Sequence, residues 1–307
     1  MTIDYLAAKS TVVACIVTYN PEIHRLRCNI KAISPQVSQV IIVDNNSINV
    51  SLIKVAIHDF PNTHLIINTK NNGIAKALNQ AALYAQTIHC EWIVTLDQDS
   101  IVPSNLVARY LSTVDNKEVA LICCIINDRS IGILPWQSIN DDEEEVDECI
   151  TSASMLRIEA WHKVNGFNED LFIDGVDIDM CYRLRKNHYK IIRVNTVQLL
   201  HELGKAEIKT FMGKPLHLFH YPPLRCYYIT RNTLYIGIEY KRFCYYAKLT
   251  IKRCVLMIFF ESHRLLNLIA ILYAVRDIIL YKRLGKAPNA LISLNNKVTS
   301  HSKTSKY

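Results

Sequence analysis

Two carboxylates one residue apart, Asp97 and Asp99 in the stretch Trp92-Ile93-Val94-Thr95-Leu96-Asp97-Gln98-Asp99-Ser100, could do chemistry together. They follow a short apolar, β-rich run that reads as a buried strand, so they emerge where that strand ends. Ligands of open α/β sheets gather at the carboxyl ends of the strands. Two carboxylates there repel each other unless positive charge lies beside them, and a hard divalent cation is the natural candidate. Mg²⁺ typically takes one or two protein carboxylates and completes its shell with water and substrate phosphate oxygens. The pair is therefore a candidate metal–diphosphate site. Asp-x-Asp also arises by chance as an acidic turn after a strand, so the surrounding elements must decide.

A second acidic cluster is Phe172-Ile173-Asp174-Gly175-Val176-Asp177-Ile178-Asp179. From Val176 onward the pattern is helical, which sets Asp177 and Asp179 in a first turn, where carboxylates complement the helix macrodipole. Three acids beside a glycine that permits close approach exceed what capping requires. If the sheet brings this helix start to face Asp97 and Asp99, one of the three can act as a general base. His201, in Leu199-Leu200-His201-Glu202-Leu203-Gly204, follows a predicted strand. A lone histidine is usually structural; this one gains interest by following two acidic sites. The run from Asp141 to Glu148 holds seven acids in eight positions. It predicts a solvated, mobile loop, because like charges this dense resist packing, with metal capture as the alternative.

The elements that must position these groups are legible as alternating patterns. Strands are predicted at Thr11–Thr18, Val40–Val43, Leu65–Ile67 and Glu91–Leu96, then at Val119–Ile126 and Cys149–Ile158. A helix is predicted from Ile74 to about Ile88, and Pro21 suits the first turn of another, with Asn20 as its cap. Short strands alternating with helices imply a parallel sheet built by right-handed crossovers. A dinucleotide-binding unit would use Asp44 as its ribose acid. The first strand-to-helix turn, Thr18-Tyr19-Asn20-Pro21, argues against it, because it lacks the G-x-G-x-x-G that lets backbone approach a pyrophosphate. The P-loop sequence is missing too. Phosphate must then be neutralised otherwise, and a metal at Asp97 and Asp99 supplies the charge.

Composition bounds the rest. The chain has 307 residues, 50% hydrophobic and 21% charged, and a formal net charge of +7, which describes a globular protein with a sizeable core. From Lys241 to Lys286 ten Lys or Arg stand against two acids, Glu261 and Asp277. Such a face meets an anionic partner or is simply solvated. No basic start with an apolar h-region opens the sequence, so secretion is not expected, and no apolar run approaches the roughly 18 residues of a spanning helix. The ten cysteines contain no C-x-x-C pair, which predicts free thiols packed in the core, as in a cytosolic protein.

The order Thr18-Tyr19-Asn20-Pro21, Val43-Asp44-Asn45-Asn46-Ser47, Asn71-Asn72-Gly73 through Asn79, Asp97-Gln98-Asp99-Ser100, Gly166-Phe167, Phe172 to Asp177 and His201-Glu202-Leu203-Gly204 resembles the family 2 glycosyltransferases. Within them it is most similar to bacterial rhamnosyltransferases of O-antigen and related polysaccharide assembly. The resemblance covers about residues 10–240, and Tyr227-Tyr228-Ile229-Thr230-Arg231-Asn232 also looks like that subgroup. It implies an α/β GT-A fold, a Rossmann-like nucleotide-binding mixed sheet flanked by helices, over residues 10–240. A basic amphipathic helical extension over 241–287 and a disordered tail over 288–307 would follow. It further implies an inverting glycosyltransferase with a nucleotide-diphosphate sugar donor and a divalent metal, Mg²⁺ or Mn²⁺. Carried over by position, Thr18 and Asn20 lie near base and ribose, and Asp44 binds the nucleoside. Asn71, Gly73 and Asn79 belong to the donor-side motif, and Asp97 and Asp99 hold ribose and metal. The family's base usually sits in a Glu-Asp pair; here the pair reads Val176-Asp177, which makes Asp177 the first candidate and leaves Asp174 and Asp179 open. His201 matches a histidine that completes the metal shell in some members.

On this resemblance alone the donor is dTDP-rhamnose, and the acceptor is a hydroxyl of a saccharide or lipid-linked saccharide in cell-surface polysaccharide assembly. A nucleotidyltransferase is the competing enzyme class, but it would carry a Gly-rich, Arg/Lys-bearing loop after the first strand. A non-catalytic scaffold of a membrane assembly is disfavoured by the intact Asp97, Asp99 and Asp177. The segment Tyr245–Tyr281 reads as one or two helices, either packed on the catalytic domain or lying in a lipid interface with cations on anionic headgroups. The second option is expected: a cytoplasmic protein, peripheral on the inner membrane's cytoplasmic face, with no nucleic-acid partner.

Overall fold

Strands that are apolar along their whole length belong in a parallel sheet covered on both faces; three of the first four runs obey this, while the run ending at Ile67 lies at the sheet edge and stays partly exposed. The structure is a computed structural model describing residues 11–114, 116–128, 132–133, 137, 141–201, 207–211, 214–218 and 220–284; at 128, 201, 207–211, 214–217 and 282–284 it describes backbone only. In it β1 (Val12–Thr18), β2 (Gln39–Asp44), β3 (Thr63–Ile67) and β4 (Trp92–Asp97) pair in parallel, in the order β3-β2-β1-β4. Helices α1 (Ile23–Ile33), α2 (Val50–Ile57) and α3 (Ile74–Thr87) return the chain between them. Asn20 does not cap α1. Its backbone takes a φ of 49° and its Oδ1 accepts from Ile48 N at 2.9 Å, while Glu22 caps the helix through His24 N and Arg25 N.

The chain then adds α4 (Leu106–Leu111), β5 (Val119–Asp128), β6 (Gly132–Ile133), β7 (Glu143–Glu145), β8 (Ser154–Arg157), α5 (Ile158–Lys163), α6 (Val176–Lys186) and β9 (Lys190–His201). The sheet continues from β4 as β8-β5-β9-β7, with β8 antiparallel to both neighbours and β5 parallel to β9. The architecture is thus mixed α/β, as expected. The predicted strand at Cys149–Ile158 shortens to β8, because Ser154 N and Oγ both bond back to the Thr151 carbonyl, a local alternative to ladder pairing.

The acidic run is not a mobile loop. Glu143–Glu145 forms the edge strand β7 against β9, and Glu144 pairs with Arg193, which is itself buried. Thr113 Oγ1 donates to Glu143, and Arg185 pairs with Asp147 at 2.6 Å. Partners on neighbouring segments neutralise the repulsion that the sequence alone displays. The core cysteines are packing groups: burial pushes the Cys124 thiol up to about 12 and Cys15 higher still.

These elements form one compact unit, Met1–Phe172 with Val176–Glu202. The second unit comprises Ile173–Gly175 and Leu203–Tyr307. It contains the hairpin β10 (Glu207–Phe211) and β11 (Lys214–Leu218), then α7 (Pro223–Glu239), α8 (Phe243–Phe259) and α9 (Arg264–Leu284). Among the described residues no helix is long and apolar enough to cross a membrane. The tail at 288–307 lies outside the described residues.

Candidate active site

Register alone gathers the first group of residues. Thr18 faces Asp44 across β1 and β2, and Val17 faces Asp97 across β1 and β4. With strands about 4.8 Å apart, Asp44 and Asp97 therefore stand roughly 10 Å from each other on either side of Thr18. Asp44 is fully buried. Its carboxylate accepts from Thr18 Oγ1 at 2.9 Å, from Ser47 N at 2.9 Å and from Ser47 Oγ. Ser47 Oγ in turn accepts from Asn20 N at 2.8 Å. The Asp44 carboxylate thus organises the turns after β1 and β2, and the surface they present is Tyr19 and Asn20, both exposed.

Asp97 and Asp99 emerge at the end of β4 and are partly exposed. The fully buried Asn29 of α1 donates through Nδ2 to the Asp97 carbonyl at 2.7 Å, and Tyr19 N donates to Gln98 Oε1 at 2.9 Å. The far side of this loop is held by a bridge between Ile101 and Leu200 and by the Ser100–Ser152 hydroxyl pair at 2.6 Å. His201 follows Leu200, so its backbone reaches this end of the sheet; its side chain lies outside the described residues. Among the described residues no three His, Cys, Asp or Glu groups converge as a closed metal cage would. Two partly exposed carboxylates suit a different kind of site, in which a hard cation keeps water and takes substrate phosphate oxygens. That donor set fits.

Three acids compete at the start of α6, and their partners separate them. Asp179 is 1% exposed and pairs with Arg183 at 2.7 Å, whose guanidinium also donates to the carbonyls of Val164 and Gly166. It is tied into packing. Within the second unit, Asp174 pairs with Arg225 through contacts of 3.2 and 3.3 Å. Asp177 is partly exposed, accepts from Ile178 N at 2.9 Å, and lines a small cavity with Thr95 of β4, Thr151, Ser154 and Cys181. Sharing a cavity with Thr95, two residues before Asp97, brings Asp177 toward the carboxyl end of β4.

The Asn71-Asn72-Gly73 motif builds the start of α3. Asn71 Oδ1 accepts from Gly73 N at 2.9 Å, and Gly73 has a φ of 82°. A Cβ there would stand 2.5 Å from the Phe172 ring and 2.6 Å from its carbonyl oxygen, so only glycine fits. The same carbonyl accepts from Ile74 N at 2.6 Å. Asn79 points elsewhere: its Nδ2 donates to Phe167 O and Glu169, and its Oδ1 accepts from Trp161 Nε1 and Phe167 N. All of its amide capacity goes to protein partners. Residues missed from the sequence are Asn29, Gln98 and the chain Asn45–Asn68–Gln80, in which Asn45 Nδ2 donates to the Gly73 carbonyl at 3.1 Å. Gln98 and Asn45 sit inside recognised motifs; buried amides elsewhere carry no sequence signal.

Comparison with known proteins follows the same elements. The family described as "Glycosyl transferase family 2" matches residues 13–176. The "dTDP-rhamnosyl transferase RfbF" of Shigella flexneri is 28% identical over 238 residues, covering 73% of this chain and 78% of that protein. Among solved structures, S. aureus TarS 1-349 superposes with a TM-score of 0.54 at 12% identity, over 97% of this chain and 92% of that one. GalNAc-T7, solved with UDP, GalNAc and Mn²⁺, gives a TM-score of 0.55 at 12% identity over 73% of this chain, which spans 47% of that one.

Proposed function

Taking as premise that this chain belongs to glycosyl transferase family 2 and has the GT-A fold, we propose that it is an inverting rhamnosyltransferase. It moves rhamnose from dTDP-rhamnose to a hydroxyl of a saccharide or lipid-linked saccharide in cell-surface polysaccharide assembly. The observation that carries this reading is the partly exposed Asp97–Asp99 pair at the end of β4, beside the Tyr19–Asn20 turn and the cavity that holds Asp177. The choice of sugar is supported by the 28% identical relative.

In this reading Asp177 takes the proton of the acceptor hydroxyl, a contribution typically worth about 10²–10⁴-fold. The hydroxyl oxygen bonds to the anomeric carbon as the bond to the diphosphate breaks on the opposite face, which inverts that centre and needs no second nucleophile. Asp97, Asp99 and His201 are the residues that would hold a divalent cation, and when bound it offsets the charge developing on the diphosphate. Thr18 and Asn20 shape the nucleoside side. Asp44 serves it by fixing their turns, and Asn71 and Gly73 place the α3 start. Asn79 supports the donor side through Phe167.

The test is turnover of a panel of nucleotide sugars with Mg²⁺ or Mn²⁺ and with EDTA. dTDP-rhamnose is expected to be consumed fastest, and EDTA to abolish turnover. Preference for another donor overturns the sugar assignment, and full activity in EDTA overturns the metal site.

The same reading places the enzyme on an anionic membrane surface. On α9 the residues Leu265, Leu268, Leu272, Val275 and Ile279 form one stripe, each 37% or more exposed, and Arg264 and Arg276 flank it. Apolar side chains between cations suit an interfacial helix better than a second copy of so basic a segment.

A further inference from the structure

The motif Tyr227-Tyr228-Ile229-Thr230-Arg231-Asn232 has no part in the chemistry above, yet α7 folds it into a buried polar cluster. Arg231 is 7% exposed and Asn232 1%, and polar groups are costly to bury unless hydrogen-bonded. Arg231 lies over the rings of Tyr228 and Tyr227, at 5.0 and 5.6 Å, and its Nε donates to Asn232 Oδ1 at 2.8 Å. Tyr227 donates to the buried Asp277 at 2.8 Å. With its oxygen fixed by Arg231, the Asn232 amide has one orientation. Its Nδ2 donates to the carbonyls of Ile173 and Asp174, both at 2.7 Å. A reversed amide would set a third oxygen against those two.

The loop so held is an unusual one. Phe172, Asp174 and Gly175 all have left-handed backbones, with φ of 63°, 64° and 79°, a conformation that persists only where the surroundings over-determine it. Arg225 grips the Asp174 carboxylate, and a Cβ on Gly175 would stand 2.9 Å from Ile236 Cδ1. Arg225, Asn232 and Ile236 are spaced seven and four apart, so a single face of α7 makes all three contacts. The next residue after the loop is Val176, the first of α6, followed by Asp177.

We infer that Asn232, oriented by Arg231, is the positioning residue for the proposed base: it fixes the Ile173–Gly175 loop and thereby the direction in which Asp177 leaves it. This rests on reading Asp177 as the base. The test is dTDP-rhamnose hydrolysis, with water as acceptor, alongside dTDP binding by calorimetry and thermal melting. Asn232→Asp keeps the shape of the side chain but faces the two carbonyls with oxygen. Its kcat is expected to fall at least tenfold, with donor KM and dTDP affinity within threefold of wild type. Wild-type kcat in the folded variant, or loss of dTDP binding in parallel with kcat, overturns the inference. If Asn232→Asp does not fold, Asn232→Ser, which keeps one donor, is read instead: a threefold or greater fall in kcat with dTDP binding intact supports the inference, and wild-type kcat overturns it. Asp177→Asn in the same assay separates the two ideas, since wild-type turnover there overturns the base itself whatever Asn232 does.

Discussion

At the scale of single residues, the acids of this chain differ by what already occupies them. Asp44 spends its carboxylate on Thr18 and Ser47, Asp179 on Arg183, and Asp174 on Arg225. Asp177 accepts from Ile178 N and also lines a cavity. Replacing a base by its amide removes proton transfer and leaves ground-state contacts in place. Asp177→Asn is therefore expected to lower kcat by about two to four orders of magnitude with dTDP binding nearly unchanged. Steady-state kinetics with calorimetry checks this, and wild-type kcat would mean that the proton goes elsewhere. Asp179→Asn makes the contrasting case: loss of its pairing with Arg183 should show first in the melting temperature.

At the scale of elements, the edge strand β7 shows how a poor strand sequence is made to pair. Glu144 and Arg193 are 15% and 10% exposed at the side chain, so Glu144→Ala removes the carboxylate facing a nearly buried guanidinium. Breaking such a pair costs about 3 kcal/mol or more, and urea denaturation should show a lower midpoint with an unchanged slope. An unchanged midpoint would mean that Arg193 is held without Glu144. This pairing was illegible in the sequence, where seven acids in eight positions signal repulsion and their partners lie tens of residues away. The parallel strands β1, β2 and β4 were legible for the opposite reason: burial on both faces leaves a continuous apolar run, a local signal. The Asp97–Asp99 pair was legible because a strand end is local too. That Ile173–Gly175 groups with α7 was not, because it depends on contacts between residues more than 50 positions apart.

At the scale of the whole molecule, charge and exposed apolar surface concentrate in the helices that follow α7. Ile251, Val255 and Phe259 on α8 add a second stripe, each 44% or more exposed, beside Lys252 and Arg253. Each cation near an anionic surface contributes about 1 kcal/mol. The full chain should sediment with vesicles containing phosphatidylserine at low salt and release as salt rises. Recovery in the supernatant as a monomer would leave the stripes without a lipid role, and recovery as a dimer would assign them to a second copy. The order of the sheet carries another consequence, for synthesis on the ribosome. β1 to β4 are complete once Asp97 is made, but the free edge of β4 waits for β8, which ends about 60 residues later at Arg157. At about 5–20 residues per second, that edge stands unpaired for several seconds. Trp92-Ile93-Val94-Thr95 is largely apolar and carries no charge, the kind of edge on which other chains pair. The strand that presents the candidate metal ligands is thus also an edge that stays open while the chain is being made.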